Sequence, residues 1–520
     1  MPPLNQLGSL SHIAFDYVWE WLSCLMKCTD DDDRQLQREY LLENLTTLFR
    51  QKLLDHCIKA HLWTIEAVQK SRFMDLLADD KTQSLNFTPC GTLMAEEVFG
   101  IYKSFVNYKI ENLVFLGMKC SQEPGEQNFV KDINPAFYMV LPNMHKLRSV
   151  TLSGLADRTI MKLLAENCPY LEYLDVSGSD DINDNDVASL VVSGGKNIEN
   201  MTDYNVLCFT AEATPCTKFL NNVDLSKTRV TIKSLIVLLR FAPKLKNLGE
   251  TNGETSLSKA LVAILSCEER HKFYLTHLSD INFQADDATF IKNRCSDLRS
   301  VSVDGESIPA LHNLHPICLL RINLDFRNWG NDIYDYLNKR GMFITKLVFK
   351  NNINCVVDLG WIVAMTPNLQ HLEANIDCFE GVQVADWKFL NNACVIVGSA
   401  RSFQTFIRHA PNLHDLEINY NNKYTQPDWH CINDELLETV LIEGGLSKLK
   451  KFVIGQCALS IKSIECLFMQ CFRISYIGYV RRWELLTREE IKNLKRKAIE
   501  ENLKLTLREY SENEENILYT

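Results

Sequence analysis

A short phrase recurs along the chain: leucine or an equivalent, two variable residues, an apolar residue, one variable residue, and a further apolar residue. It stands at Leu147-Arg-Ser-Val150-Thr-Leu152, Leu171-Glu-Tyr-Leu174-Asp-Val176, Leu298-Arg-Ser-Val301-Ser-Val303, Ile344-Thr-Lys-Leu347-Val-Phe349, Leu369-Gln-His-Leu372-Glu-Ala374 and Leu413-His-Asp-Leu416-Glu-Ile418. Another copy reads Leu319-Leu-Arg-Ile322-Asn-Leu324, and weaker ones begin at Leu220, Leu245 and Leu275, with Thr82–Phe87 and Ile110–Phe115 as the earliest. Starts lie 24 residues apart from Leu147 to Leu171, and 25 apart from Leu319 to Ile344, from Ile344 to Leu369 and from Leu449 to Ile474. A unit of that size cannot bury its apolar side alone, so it must stack on copies of itself.

The residues ahead of several strands agree. Ile160–Cys168, Ile236–Ala242, Trp361–Thr366 and Phe403–Ala410 have apolar residues three and four apart, and each is followed at once by Pro169, Pro243, Pro367 or Pro411. Spacing of that kind predicts a helix packed on the strand layer, and proline stops it because it lacks an amide proton and restricts the residue before it. The expected fold is α/β: a leucine-rich-repeat solenoid over residues 79–480, with parallel strands on its concave face and helices on its convex face. A small helical domain precedes it at 1–78, a capping helix follows at 481–510, and residues 511–520 form an acidic tail. Thr487-Arg-Glu-Glu490 reads as the capping box of that last helix, which is expected from Ile491 to about Tyr510.

Composition points to an ordinary folded protein: 46% of residues are apolar and 23% charged. A net charge of −11 without a long basic block argues against nucleic acid as a partner. No run of about 18 apolar residues is present, so no membrane span is expected. The opening Met1-Pro-Pro-Leu-Asn-Gln lacks the basic start and apolar run of a secretory leader, which leaves the cytosol or nucleus as the expected location. The 18 cysteines form no CxxC pair; Cys168, Cys295 and Cys318 sit where repeats bury small residues and read as reduced, packed thiols. No phosphate loop, GxSxG elbow, HExxH or metal-spaced Cys/His cluster occurs, so neither catalysis nor a cofactor is expected.

The N-terminal segment departs from the repeat phrase. It reads as helices over Leu10 to about Met26, about Leu36 to Ala60, and Trp63 to Leu77, with an acidic break at Asp30–Asp33. Solenoid ends need covering, so one role for these helices is a cap on the first repeat. The other is docking to a partner.

Two resemblances bear on that choice. The Cys-Pro or Ala-Pro before the strand resembles the cysteine-containing repeats of F-box leucine-rich-repeat proteins and related ubiquitin-ligase receptors. Ser9-Leu10-Ser-His-Ile-Ala14-Phe-Asp-Tyr-Val18 resembles the elongin-binding box of von Hippel–Lindau-type receptors, and every position of that box is met. The resemblance implies that Leu10 enters a pocket on the partner while Ala14 and Val18 line the same helical face. A second, cullin-contacting element is matched at Leu45, Phe49 and Leu53, but Thr46 stands where proline is expected. The order of box, helices and repeats resembles the zyg-eleven family, although this chain ends before a full armadillo region.

These likenesses imply a substrate receptor of a cullin-type ubiquitin ligase, with an elongin B/C-type or Skp-type adaptor and a cullin as partners. The alternative is a leucine-rich-repeat scaffold with no ligase link. Side chains alternate along a strand, so the residues between core positions face a protein ligand: Tyr173 and Asp175, Ser300 and Ser302, Arg321 and Asn323, His371 and Glu373, Asp415 and Glu417. The carboxylates Glu373, Asp415 and Glu417 favour a basic ligand. The 44 residues from Leu369 to Leu413 leave an excess around Asp377–Val397, and a second lengthening at Tyr420–Cys431 offers Tyr424 and Trp429 as aromatic anchors.

Overall fold

The computed structural model describes residues 15, 17–22, 31–59, 76–79, 81–86, 110–116, 134–135, 137–249, 255–268, 271–323, 330–350, 357–377, 386–397, 399–418, 432–455, 457–500 and 505–509. The chain forms two compact units, the first drawn from residues 8–281 and 286–298, the second from residues 282–285 and 299–520.

In the first unit, β1 (Ser84–Asn86), β2 (Asn112–Leu116), β3 (Ser149–Ser153), β4 (Tyr173–Asp175) and β5 (Asn222–Asp224) lie side by side in chain order, all parallel. Their register puts Leu85, Leu113, Val150, Leu174 and Val223 in one column, and all five are buried. Each is the middle apolar residue of the phrase. Helices such as Arg158–Asn167 and Ile232–Phe241 return the chain between strands and bury Ile160, Leu164, Leu235 and Leu239. The weak copy at Leu245 makes only a bridge, Asn222 to Asn247. Asn247 Oδ1 accepts the Gly249 N–H there, and Gly249 turns at φ 68°. A Cβ at that position would stand 2.7 Å from Asp224 Oδ1, so glycine is required. β6 (His277–Ser279) is the last strand of this unit.

The second unit holds β7 (Ser300–Asp304), β8 (Leu319–Asn323), β9 (Lys346–Lys350), β11 (His371–Asp377), β12 (Asn392–Val397), β13 (Asp415–Ile418), β14 (Lys451–Ile454), β15 (Tyr476–Gly478) and β16 (Thr506–Leu507) in that parallel order, with β10 (Val357–Asp358) beside β11. The central column runs Val301, Leu320, Leu347, Leu372, Ala393, Leu416, Phe452, Ile477, Leu507, every member buried.

This column corrects three expectations. Leu320, not Ile322, pairs with Val301 and Leu347, so the unit expected to start at Leu319 starts at Ile317. The excess expected at Asp377–Val397 is a repeat: Leu390, Ala393 and Val395 are buried, and β12 pairs fully with β11 and β13. Alanine in the middle position hid the phrase. The C-terminal helix ends at Glu500, whereas the sequence carries it to about Tyr510, and Thr506–Leu507 adds a strand to β15. Its start is as expected, with Thr487 and Glu490 exchanging hydrogen bonds as a capping box.

Two side-chain ties join neighbouring repeats. Cys168 and Cys471 are buried, and their Sγ atoms donate to the carbonyls of Met144 and Leu446 in the preceding repeat, while buried Cys216 donates to Leu190 within its own long repeat. Burial pushes the Cys168 and Cys471 thiols up to about 12 and Cys216 to about 11, so they remain protonated donors at neutral pH. The second tie is a carboxylate at a helix start. Asp184 accepts from the amide and hydroxyl of Thr231, which caps the next helix, and from Ser234. Asp434 repeats this in the second unit with the amide and hydroxyl of Ser460 and with Ser463.

Burial raises the Asp434 pKa, but the hydrogen bonds from Ser460 and Ser463 outweigh it and hold the carboxyl below the ordinary value. A depressed folded pKa contributes stability above the unfolded value that is lost as pH falls through the folded one. Asp434→Asn should therefore lose about 2 kcal/mol at pH 7, the scale of hydrogen bonds to a charged group. The gap to wild type should narrow below about pH 4, near the ordinary aspartate pKa. Urea unfolding of both proteins at several pH values checks this, and a pH-independent gap contradicts it.

Candidate protein-binding face

In the second unit the residues flanking the core column form two rows on the opposite side of the sheet. The register of one row is Ser300, Leu319, Lys346, His371, Asn392, Asp415, Lys451 and Tyr476, all half-buried. The other runs Ser302, Arg321, Val348, Glu373, Cys394, Glu417, Val453 and Gly478. Of these, Arg321, Glu373, Cys394 and Glu417 are half-buried, while Ser302, Val348, Val453 and Gly478 are buried.

Arg321, His371, Glu373, Asp415 and Glu417 therefore share one strand face. The carboxylates are not a purely acidic end. Strand order sets them between Arg321 and Lys346 on one side and Lys451 on the other, with Lys451 Nζ 3.9 Å from Glu417 and over the Tyr476 ring. The face is a bipolar strip. Sequence reasoning named the acids and missed Lys346 and Lys451, although the same alternation places them outward.

His371 sits at the junction. Its Nε2 is buried with no hydrogen-bond partner among the described residues, and burial, reinforced by Lys346 and Arg321, holds its pKa below the ordinary value. The imidazole is thus neutral at physiological pH.

Tyr173 and Asp175 belong to the first unit. Tyr173 is exposed, and burial of its phenol, with the Asp175 and Asp224 charges, raises its pKa. Asp175 is partly occupied, since its Oδ1 accepts the Ser177 N–H at 2.9 Å. Asp224, beside it in register, does the same for Ser226. The pair Asp175 and Asp224 is legible as the repeated Asp-x-Ser, but the sequence reading took up only the first. Tyr424 and Trp429 lie outside the described residues.

Leu10 and Ala14 of the elongin-box-like stretch also lie outside the described residues; Val18 is half-buried. The helix expected over about Leu36–Ala60 is two helices, Asp31–Asn44 and Thr47–Lys59, broken at Leu45–Thr46. Thr46 Oγ1 accepts the Phe49 N–H and so caps the second helix. Asp31–Asp33, read as a break, lie within the first helix, which spans Asp31–Asn44. Leu45 and Phe49 are half-buried, Phe49 with its ring edge-on to Phe15 at 5.6 Å. Leu53 is fully buried, so it serves the core.

The second helix also covers the first strand. Gln51 Nε2 donates to the Ser84 carbonyl at 3.0 Å, and buried Arg50 pairs with Asp79. The N-terminal helices leave large apolar side chains exposed: Tyr17 and Trp21 one turn apart, Leu36 and Tyr40 one turn apart, and Leu48, which is 69% exposed. None of these exposed side chains is among the residues that the resemblance singles out, and Leu53, which is among them, is buried.

No helix among the described residues is long and apolar enough to cross a membrane, and no group of metal-ligating side chains is found among them. No family model and no curated protein matches the chain. Among solved structures it is similar to the crystal structure of the Rad7 and Elc1 complex in yeast, at 14% identity over 96% of this chain and 98% of that one, TM-score 0.41. It is also similar to the leucine-rich-repeat-containing protein LegL7 from Legionella pneumophila, at 11% identity over 59% and 87%, TM-score 0.29. A third similarity is to the mouse RP105/MD-1 complex, at 10% over 85% and 82%, TM-score 0.31. Superpositions this loose say nothing of partners. The fold of this chain, read from its own strands, is that of a leucine-rich-repeat protein.

Replacing both Arg321 and Lys346 with glutamine should raise the His371 pKa toward the free value, since two of its three perturbing influences vanish. Imidazole chemical shifts followed by NMR against pH test this. An unchanged midpoint means burial alone sets it.

Proposed function

We propose that this chain is a substrate-recognition subunit of a cullin-type ubiquitin ligase and carries no catalytic centre of its own. Its N-terminal helices dock an elongin-type or Skp-type adaptor, and its strand faces hold a protein substrate. The observation that carries this reading is the exposed set Tyr17, Trp21, Leu36, Tyr40 and Leu48 on the N-terminal helices, the last of which, Thr47–Lys59, also meets the first strand through Gln51. A cap needs only one apolar side. A second one, left in water, is the mark of an association surface.

The elongin-box match at Leu10, Ala14 and Val18 supports the same segment, and Tyr17 and Trp21 lie within it or one turn beyond. In the second element, Thr46 caps the helix that carries Leu48 and Phe49, so a helix begins there without the proline of the family pattern. The strip from Arg321 to Lys451 supports recognition of a ligand bearing both charges, with Glu373 and Glu417 facing its cations. The ubiquitin-transfer chemistry belongs to the partners.

A scaffold without a ligase link uses the same surfaces and is favoured by one observation: Leu53, required by the cullin element, is buried. Affinity capture from lysate, read by mass spectrometry, separates the two. Intact protein should bring down an adaptor and a cullin. Trp21→Asp with Leu48→Asp should reduce both by about tenfold, the scale of a lost hot spot, at an unchanged melting temperature. Glu373→Lys with Glu417→Lys should keep the adaptor and lose other bound proteins. Capture of no ligase component by the intact protein leaves the scaffold reading.

A further inference from the structure

The repeat that links β4 to β5 is twice the usual length, 49 residues from Leu171 to Leu220. The surplus folds back on its own repeat. Val192 and Ala213 form an antiparallel bridge, the Ser193 N–H donates to the Glu212 carbonyl, and Thr214 donates its amide to Val191 and its hydroxyl to Leu190. Thr214 is thereby buried and its neighbour Pro215 held outward.

A cleft of about 650 Å³ results, all within the first unit, between Pro215 and the turns that follow two helices. Phe219 is one of its walls. Tyr170 lies against that ring at 5.9 Å, Lys244 Nζ is 4.7 Å and Lys218 Nζ 5.7 Å from the ring centre, and Arg240 and Phe241 also line the cleft. Arg240 is committed to the Val206 and Phe209 carbonyls and to Glu268. Lys218 and Lys244 are exposed and form no ion pair among the described residues. A second cleft, of about 540 Å³, shares the Thr214–Pro215 wall and adds Lys196.

We propose that this cleft is a second docking site, distinct from the strand faces and the N-terminal helices, and that it takes an acidic peptide segment with an apolar or aromatic anchor. Rings and prolines suit the anchor, and the exposed lysines over Phe219 suit carboxylates beside it. Charge complementarity decides the occupant: two exposed lysines, in no ion pair among the described residues, stand over the Phe219 ring of the cleft in a chain of net charge −11. A nucleic acid would meet too few cations for its phosphates and a repelling protein around them.

Fluorescence anisotropy on the full chain tests this with four labelled probes: a peptide with glutamates on both sides of a Leu-Phe pair, its lysine-for-glutamate counterpart, a glutamate peptide without the pair, and a uridine RNA. The first should bind best and weaken as salt rises. Lys218→Glu with Lys244→Glu should weaken it by about tenfold, as reversal of two rim charges allows, and should improve binding of the lysine peptide. That gain keeps the test valid even where a variant loses stability. Phe219→Ala should bring the first peptide down to the level of the one without an anchor. Absence of binding by the first peptide, preference for RNA or for the lysine peptide, or indifference to the double substitution overturns the proposal.

Discussion

The parallel register of the middle apolar residue is the constraint on which everything else depends. In the second unit one buried residue from each strand except β10, from Val301 to Leu507, stands directly against the next. A slip of one residue would turn each core side chain toward solvent and each charged neighbour into the core. Because that slip is so costly, the polar residues on either side of the column are fixed in place as well, and the strand face inherits its charge pattern without any interaction among the charges having to set it.

Stacking also explains where the polar groups in the interior go. A helix start leaves amides without partners, and here the start of one helix supplies the acceptor for the next: Asp184 for Thr231 and Ser234, Asp434 for Ser460 and Ser463. The buried cysteines do the same at the other end of the helix, handing a weak S–H donor to the turn before. Repeats are thus joined by apolar contact in the middle and by directional bonds at both edges. This leaves the strand faces, the insertion near Thr214 and the outer side of the N-terminal helices available for other work.

Much of the fold was legible because the phrase reports burial directly. Leu147, Val150 and Leu152 all enter the core as their spacing implies. What escaped detection was whatever reaches the same geometry with a different residue. Ala393 fills the central column beside Leu372 and Leu416, and the repeat it belongs to reads as an insertion until the register is seen. Ile317 supplies the opening position one expects at Leu319, because two leucines in succession make the phase ambiguous. The candidate site was legible in part. Alternation places Arg321, His371, Glu373, Asp415 and Glu417 on one face, but which strands adjoin, and hence that Lys346 and Lys451 bracket the acids, depends on pairing that only the fold supplies. For the N-terminal helices, the apolar spacing does not say which residues meet the first strand, and the structure buries Leu53 while leaving Leu48 exposed.

The N-terminal helices carry the central claim, that one segment both closes the repeat array and recruits a partner. Hydrogen–deuterium exchange on the full chain, with and without the elongin B–elongin C heterodimer, tests it most directly. The account predicts slowed exchange over residues 15–59 on adding the heterodimer, with the strands β7 to β15 unchanged. Unaltered exchange throughout, or protection confined to the strand faces, would contradict it.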